Sequence, residues 1–293
     1  MVNVVMNFSF KKTPLQTCLY QEDYQNYNAI LKTNLKNNLS DLNQENISYF
    51  GNETPIHAAS VSGNLRAIKS IVNKNGDAIV NLKNNKGFSP LHWASMNGKY
   101  DAVQLLLQLG SDPNALTDYE ESSLYWATRS GVTKTVELLL LTSKKDVVNF
   151  KNKEGFYPLH LCASNGDFDT YKILIAKGAN PFVTNKYGAT PLHWSCHREA
   201  CLIDSSQYLG KSKISSDIIQ LSNKNPKKKD FLNSINKIGK TALHWACISD
   251  FSSIVKDLLT LGCDPTIGLD GFATTYYDAV HGNFSKDITN LIL

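Results

Sequence analysis

Ser89-Pro90-Leu91-His92-Trp93-Ala94 decides the reading of this chain, because the chain repeats it. Thr54-Pro55-Ile56-His57-Ala58-Ala59 comes before it. Tyr157-Pro158-Leu159-His160, Thr190-Pro191-Leu192-His193 and Thr241-Ala242-Leu243-His244 follow. Weaker copies place Tyr125 and Tyr276 at the histidine position. Positions 57, 92, 125, 160, 193, 244 and 276 are separated by 35, 33, 35, 33, 51 and 32 residues. A period in the range of ~20 to 50 residues marks stacked supersecondary units, each burying its apolar face against the next. Such a stack is one extended object, and a long surface is expected of it rather than a catalytic cleft.

The second unit shows how each one is built. Asn84-Asn85-Lys86-Gly87 reads as a tight turn, with glycine free to take a positive φ. Ser89 before Pro90 suits a helix start, as a cap followed by a first-turn proline. Leu91, Trp93 and Ala94 open a short helix that Gly98 stops. Val103, Leu105, Leu106 and Leu107 give a second helix its apolar face. Gly110 ends that helix, and Ser111-Asp112-Pro113-Asn114 starts the next turn. The same order recurs at Gly178-Ala179-Asn180-Pro181 and Gly262-Cys263-Asp264-Pro265.

Motif, period and turn chemistry together resemble the ankyrin-repeat family over about residues 50–293. The resemblance implies an all-α solenoid of about seven helix-turn-helix units with β-turn fingers. Residues 14–49, with Tyr27, Ile30, Leu31, Leu35 and Leu39, are expected to form a helical cap or a decayed repeat. Residues 1–13 are expected to be a mobile tail. The third unit departs from the pattern, with Glu120 at the turn glycine and Tyr125 at the histidine. The last unit has lost both proline and histidine, as terminal caps do.

The family also implies a role for the motif histidines, His57, His92, His160, His193 and His244. Each is expected to hydrogen-bond turn backbone and so join one finger to the next, a structural role rather than a metal or proton-relay one. Trp93, Trp126, Trp194 and Trp245 follow the motif position and are expected in the packing layer.

A net charge of +4 is too small to imply nucleic acid on its own. The abundant Asn and Lys are read as background composition and solvated loops. The six cysteines have no regular spacing and are read as buried thiols of a reducing compartment. Residues 1–12 lack a basic start and a long apolar core, so no secretory signal is expected. Val2 excludes myristoylation, and no run approaches 18 apolar residues. The expected location is the cytoplasm, with the nucleus as an alternative.

The fifth unit is 51 residues long, with extra residues expected at about 199–212 and 222–231 and a second helix including Ser216 to Leu221. Insertions in repeats map to loops. His193, Cys196, His197 and Cys201 offer zinc-type ligands, but their spacing matches no common finger. No metal and no cofactor are expected. Lys224-Asn225-Pro226-Lys227-Lys228-Lys229 is read as a solvated loop in preference to an import signal.

Ankyrin proteins bind partners with the fingers and the inner face of the first helices. Carried onto this chain, that implies finger positions Lys86, Phe88, Tyr119, Lys153, Phe156, Lys186, Tyr187, Lys237, Ile238 and Lys240. On the inner face it implies Met96, Asn97, Arg129, Asn165, His197, Arg198 and Ile248. The recurring lysines favour an acidic protein partner. Phe88 and Phe156 are open to two readings, as interface anchors or as packing between fingers.

The function expected first is a non-enzymatic scaffold or adaptor. The alternative is the regulatory or substrate-recruiting part of an enzyme system, because Leu-His-Trp resembles ankyrin segments of membrane-bound protein acyltransferases. Nucleic-acid binding through lysine and aromatic fingers is disfavoured. The phosphate-loop, G-x-S-x-G and H-E-x-x-H motifs are missing, which argues against an enzyme. Oligomeric state is left open.

Overall fold

The computed structural model describes residues 54–197, 205–268, 275–280 and 283–293. The expected tail and N-terminal cap, together with Arg198 and Cys201, lie outside the described residues. Six helix pairs stack in sequence: α1 Pro55–Ser62 with α2 Leu65–Asn75, α3 Pro90–Met96 with α4 Tyr100–Gln108, α5 Ser123–Ser130 with α6 Thr133–Thr142, α7 Pro158–Asn165 with α8 Phe168–Ala176, α9 Pro191–Cys196 with α10 Ser205–Ser222, and α12 Ala242–Ile248 with α13 Ser252–Thr260. A short seventh pair follows, α14 Thr275–Val280 and α15 Lys286–Ile292, and α11 Lys228–Leu232 sits between α10 and α12. The described residues contain no sheet, only a single antiparallel bridge between Leu116 and Ser122. This is the all-helical solenoid that the resemblance to ankyrin repeats implies. No described helix is long and apolar enough to cross a membrane.

The first helix of each pair forms the inner layer. It is short because the motif supplies both of its ends. Thr190 and Thr241 accept from the backbone N–H of His193 and His244 at 3.4 and 3.2 Å, which caps α9 and α12. Gly98, just past α3, is left-handed at φ 61°, where any side chain would strike Val132. Ile56, Leu91, Leu124, Leu159, Leu192 and Leu243 are the buried leucine-type position of successive units. The small residues Ala94, Ala127 and Ala163 let neighbouring helices approach closely. The second helices seal the other side with Val103 and Leu106, Val136 and Leu139, Tyr171 and Leu174, and Val255 and Leu258.

The asparagines are not mere background, as composition had suggested. Asn84 Oδ1 accepts from the N–H of Lys86 and of Phe88 at 3.0 and 2.9 Å, which closes its finger. Asn152, Asn185 and Asn236 do the same in their fingers. A second set clasps the outer turns. Asn81 donates to Gly110 O at 2.9 Å and accepts from Asp112 N at 2.8 Å. Asn149 repeats this with Gly178 and Asn180 at 3.0 Å each. These amides satisfy loop backbone that would otherwise go unpaired.

The long fifth unit differs from the expectation. Residues from 205 onward are helical, so α10 runs 18 residues: it includes the expected Ser216 to Leu221 and also takes in residues 205–212, which were expected to be an insertion between the helices. Its first turns lie across the end of α7, where Gly210 meets the carbonyl of Gly166 so closely that a side chain would not fit. Tyr171 Oη donates to Asp217 at 2.9 Å, and Ser215 Oγ donates to Ser195 Oγ at 2.8 Å. The basic run leads into α11, which Phe231 and Leu232 bury against the stack, with Phe231 4.9 Å from Phe182. The run is therefore anchored at its far end, while Lys224, Lys227 and Lys229 face solvent.

Candidate partner-binding surface

The fingertips are joined by one backbone hydrogen bond per step. Asp118 donates to Lys86 O, Lys153 to Tyr119 O, Lys186 to Glu154 O and Lys237 to Tyr187 O, all at 2.9–3.0 Å. This ladder sets the tip side chains in a row at fixed spacing. Three motif histidines, His57, His92 and His160, brace it from beneath, whereas His193 accepts from Thr190 N at 3.2 Å but its Nε2 is buried without a hydrogen-bond partner, a departure from its expected link to the next finger. His92 Nδ1 accepts from Ser89 N at 3.1 Å, so its proton sits on Nε2, which donates to Ala115 O at 3.0 Å. His160 repeats this between Tyr157 N and Ala189 O, and His57 between Thr54 N and the carbonyls of Leu82 and Phe88. Burial lowers all three to about 4, which keeps the imidazoles neutral at physiological pH.

His244 is braced differently. Its Nε2 is 2.9 Å from Asp278 Oδ2 of α14 and 2.6 Å from Lys240 Nζ. Lys240 Nζ is also 3.4 Å from Asp278. Lys240 is thus drawn inward to the junction of the last two units, a correction to its expected place on the binding surface.

Two more expected anchors are corrected. Phe88 and Phe156 are only 3% and 1% exposed. Phe88 lies 5.3 Å from Trp93 and 5.6 Å from Trp126, and Phe156 lies 5.6 Å from Trp194. They seal neighbouring units, because the next unit's tryptophan offers more apolar contact than water does.

The remaining finger positions are accessible. Lys153, Lys186 and Lys237 are exposed, Lys86 and Tyr187 are half-buried, and Tyr119 and Ile238 face outward. Lys186 is 3.7 Å from Glu154, whose other oxygen accepts from Tyr187 Oη at 3.0 Å. On the inner face Met96, Asn97, Arg129 and Asn165 are half-buried, and Ile248 is 50% exposed. Asn165 donates to Arg129 O at 3.3 Å. His197 is half-buried, its ring edge-on to Trp245 at 4.5 Å, and burial lowers it to about 4. The zinc reading gains nothing from this. Among the described residues no three His, Cys, Asp or Glu side chains are placed to hold a metal.

A buried carboxylate that sequence reasoning missed lies in the third unit. Glu121 occupies the place of Phe88 and Phe156 and is 4% exposed. It accepts from Asn152 Nδ2 at 3.3 Å, and the same amide donates to Tyr125 Oη at 3.2 Å. The signal was there to find: Glu121 precedes the cap Ser122, where the second and fourth units place Phe.

A model of three ankyrin repeats matches residues 18–117 and 124–220, and a single-repeat model matches residues 238–268. The chain belongs to the ankyrin-repeat family. The ankyrin array is 29% identical over 164 residues to the target of rapamycin complex 2 subunit AVO2 of Saccharomyces cerevisiae, covering 55% of this chain and 38% of that protein. It is 28% identical over 139 residues to the human ankyrin repeat and SOCS box protein 3, covering 47% of this chain and 27% of that protein. The chain therefore spans well under half the length of these curated relatives. The human ASB11 ankyrin repeat domain shares the fold at a TM-score of 0.58 and 22% identity, over 75% of this chain and 89% of that one. The ankyrin array is a protein-binding repeat module.

Burial raises Glu121 from 4.5 to about 7, and the Asn152 amide and the Arg129 charge pull the other way. A raised carboxyl adds stability below its unfolded value and loses it as pH climbs through 7. Glu121→Gln, which stays neutral, is expected to raise the unfolding free energy by about 2–3 kcal/mol more at pH 8 than at pH 5. Urea titrations at the two pH values check this. Equal changes at both would mean that Glu121 is ionised at no cost.

Proposed function

We propose that this ankyrin array is the recruiting part of a larger assembly, holding a protein for a reaction carried out by another component. The observation that carries the reading is the nature of its relatives. One is named as a subunit of a complex, another as a protein with a SOCS box beside its repeats, and this chain covers 38% and 27% of their lengths. Their names give no support to an acyltransferase in particular. The recruited protein docks on the fingertip row and the inner helices, and its facing surface is acidic. Lys153 and Lys237 supply the exposed charge, while Lys186 is already engaged by Glu154.

The double variant Lys153→Glu, Lys237→Glu tests this. Tagged wild-type chain is expected to retrieve a protein together with further components of an assembly from native extract. The double variant is expected to lose the recruited protein by about tenfold at low salt, because steering charges act mainly on the association rate. Undiminished retrieval of that protein would move the site off the fingers. Retrieval of one protein without further components would favour a free-standing scaffold.

A further inference from the structure

Along the described array, the motif side chain of one unit is bonded into the next at every junction but one. His57 donates to the Leu82 and Phe88 carbonyls, His92 to Ala115 and His160 to Ala189. Tyr125 Oη accepts from Asn152 of the fourth unit, and His244 meets Asp278 of the seventh. The fifth unit is the exception. His193 Nε2 is buried and makes no hydrogen bond, although the Lys240 and Ser234 carbonyls of the next finger act on its ring. A buried donor left unmet works against the closed junction.

The apolar seal changes at the same place. Phe88 lies 5.6 Å from Trp126 of the next unit, Phe156 lies 5.6 Å from Trp194, and both tryptophans are buried. The fifth unit has Ala189 in that position, and Trp245 of the sixth is only half-buried. The finger itself is built alike. Ala189 N–H donates to Asn185 Oδ1 at 3.0 Å, as Phe88 and Phe156 donate to Asn84 and Asn152 at 2.9 Å.

Ring contacts do cross this junction, but at its other end. The fingers lead into the N-termini of the inner helices. His197, just past the C-terminus of α9, lies 4.5 Å from Trp245, and Tyr208 of α10 lies 4.7 Å from Phe251, just past α12. Units six and seven are tied to each other more firmly, by His244 with Asp278 at 2.9 Å and by Ser285 Oγ donating to Asp250 at 2.7 Å.

We propose that the junction between the fifth and sixth units is a hinge. Fingers five and six part while the α10 end stays closed, and units six and seven swing as one block against the first five. The inner face therefore changes its curvature between Lys186 and Lys237, and the ladder bond from Lys237 N to Tyr187 O is the one that opens.

Hydrogen exchange resolved to single amides reads this in the wild-type chain. The ladder N–H groups of Asp118, Lys153, Lys186 and Lys237 make the same bond at four successive junctions. After correction for intrinsic rates, Lys237 is expected to exchange about tenfold or more faster than the other three, while Val255 in α13 stays far slower than Lys237. Ala189→Phe supplies the ring found in the second and fourth units. It is expected to remove most of the difference and to shield Trp245 from acrylamide. Equal rates at the four ladder amides overturn the hinge. So does exchange of Val255 at the Lys237 rate, which would mean that the last units unfold rather than swing. An Ala189→Phe chain that melts cooperatively and leaves Lys237 unchanged overturns it as well, and the wild-type comparison decides the matter if that variant does not fold.

Discussion

Taken from pH 7 to pH 5, the array is expected to lose most of its stability, with an acid midpoint near pH 5. His57, His92, His160, His193 and His244 are all lowered from 6.5 to about 4, with burial as the largest cause. Between those two values the unfolded chain binds protons that the folded chain refuses, so stability falls as pH falls. Each histidine costs about 2 kcal/mol by pH 5, and the five together compare with a total stability of about 5–15 kcal/mol. Glu121 works in the opposite direction over the same range, but it is one group against five. Circular dichroism against pH checks the expectation. Full helicity at pH 4 would mean that the imidazoles charge in place. The motif that builds the stack is therefore also what makes it acid-labile.

Phe156→Ala is expected to cost about 3–5 kcal/mol, the range for emptying an aromatic site in a core. Phe156 is sealed between the fourth and fifth units, with His160 at 5.7 Å, Tyr187 at 6.2 Å and Trp194 at 5.6 Å. In a one-dimensional array, neighbours are coupled only through their shared junction. Loss of this junction is expected to divide one urea transition into two. Leu141→Ala supplies the contrast. That side chain is 76% exposed on the back of α6, and its removal is expected to change stability by less than about 0.5 kcal/mol. A shift below about 1 kcal/mol for Phe156→Ala would show that Trp194 closes the junction without it.

The fold was legible because each unit writes out its own ends. Ser89-Pro90 starts a helix, Gly98 stops it, and the next copy of the motif follows about 33 residues on. The bracing role of His92 and His160 followed from the resemblance to ankyrin repeats. What sequence could not decide was anything settled between units. Phe88 and Phe156 read equally well as anchors or as packing, because the tryptophan that covers each belongs to the following unit. Lys240 looked like a fingertip cation until Asp278, 38 residues away, drew it inward. The reach of α10 was hidden because the 51-residue spacing led residues 199–212 to be read as an insertion; Gly210, inside the helix, is fitted to the close approach of Gly166. Glu121 was passed over, although its place before the cap Ser122 is the one that Phe88 and Phe156 fill in their own units.

The four tryptophans make the chain its own optical map. Trp93, Trp126 and Trp194 are sealed within the stack, whereas Trp245 is only half covered and meets the edge of His197. Indole emission shifts to the red and yields to a soluble quencher when water reaches the ring. Trp245 is therefore the part of the signal that a quencher reaches in the intact array. The other three fall dark only as their own junctions part, so native fluorescence distinguishes loosening at the C-terminal units from loss of the whole stack, with no label attached.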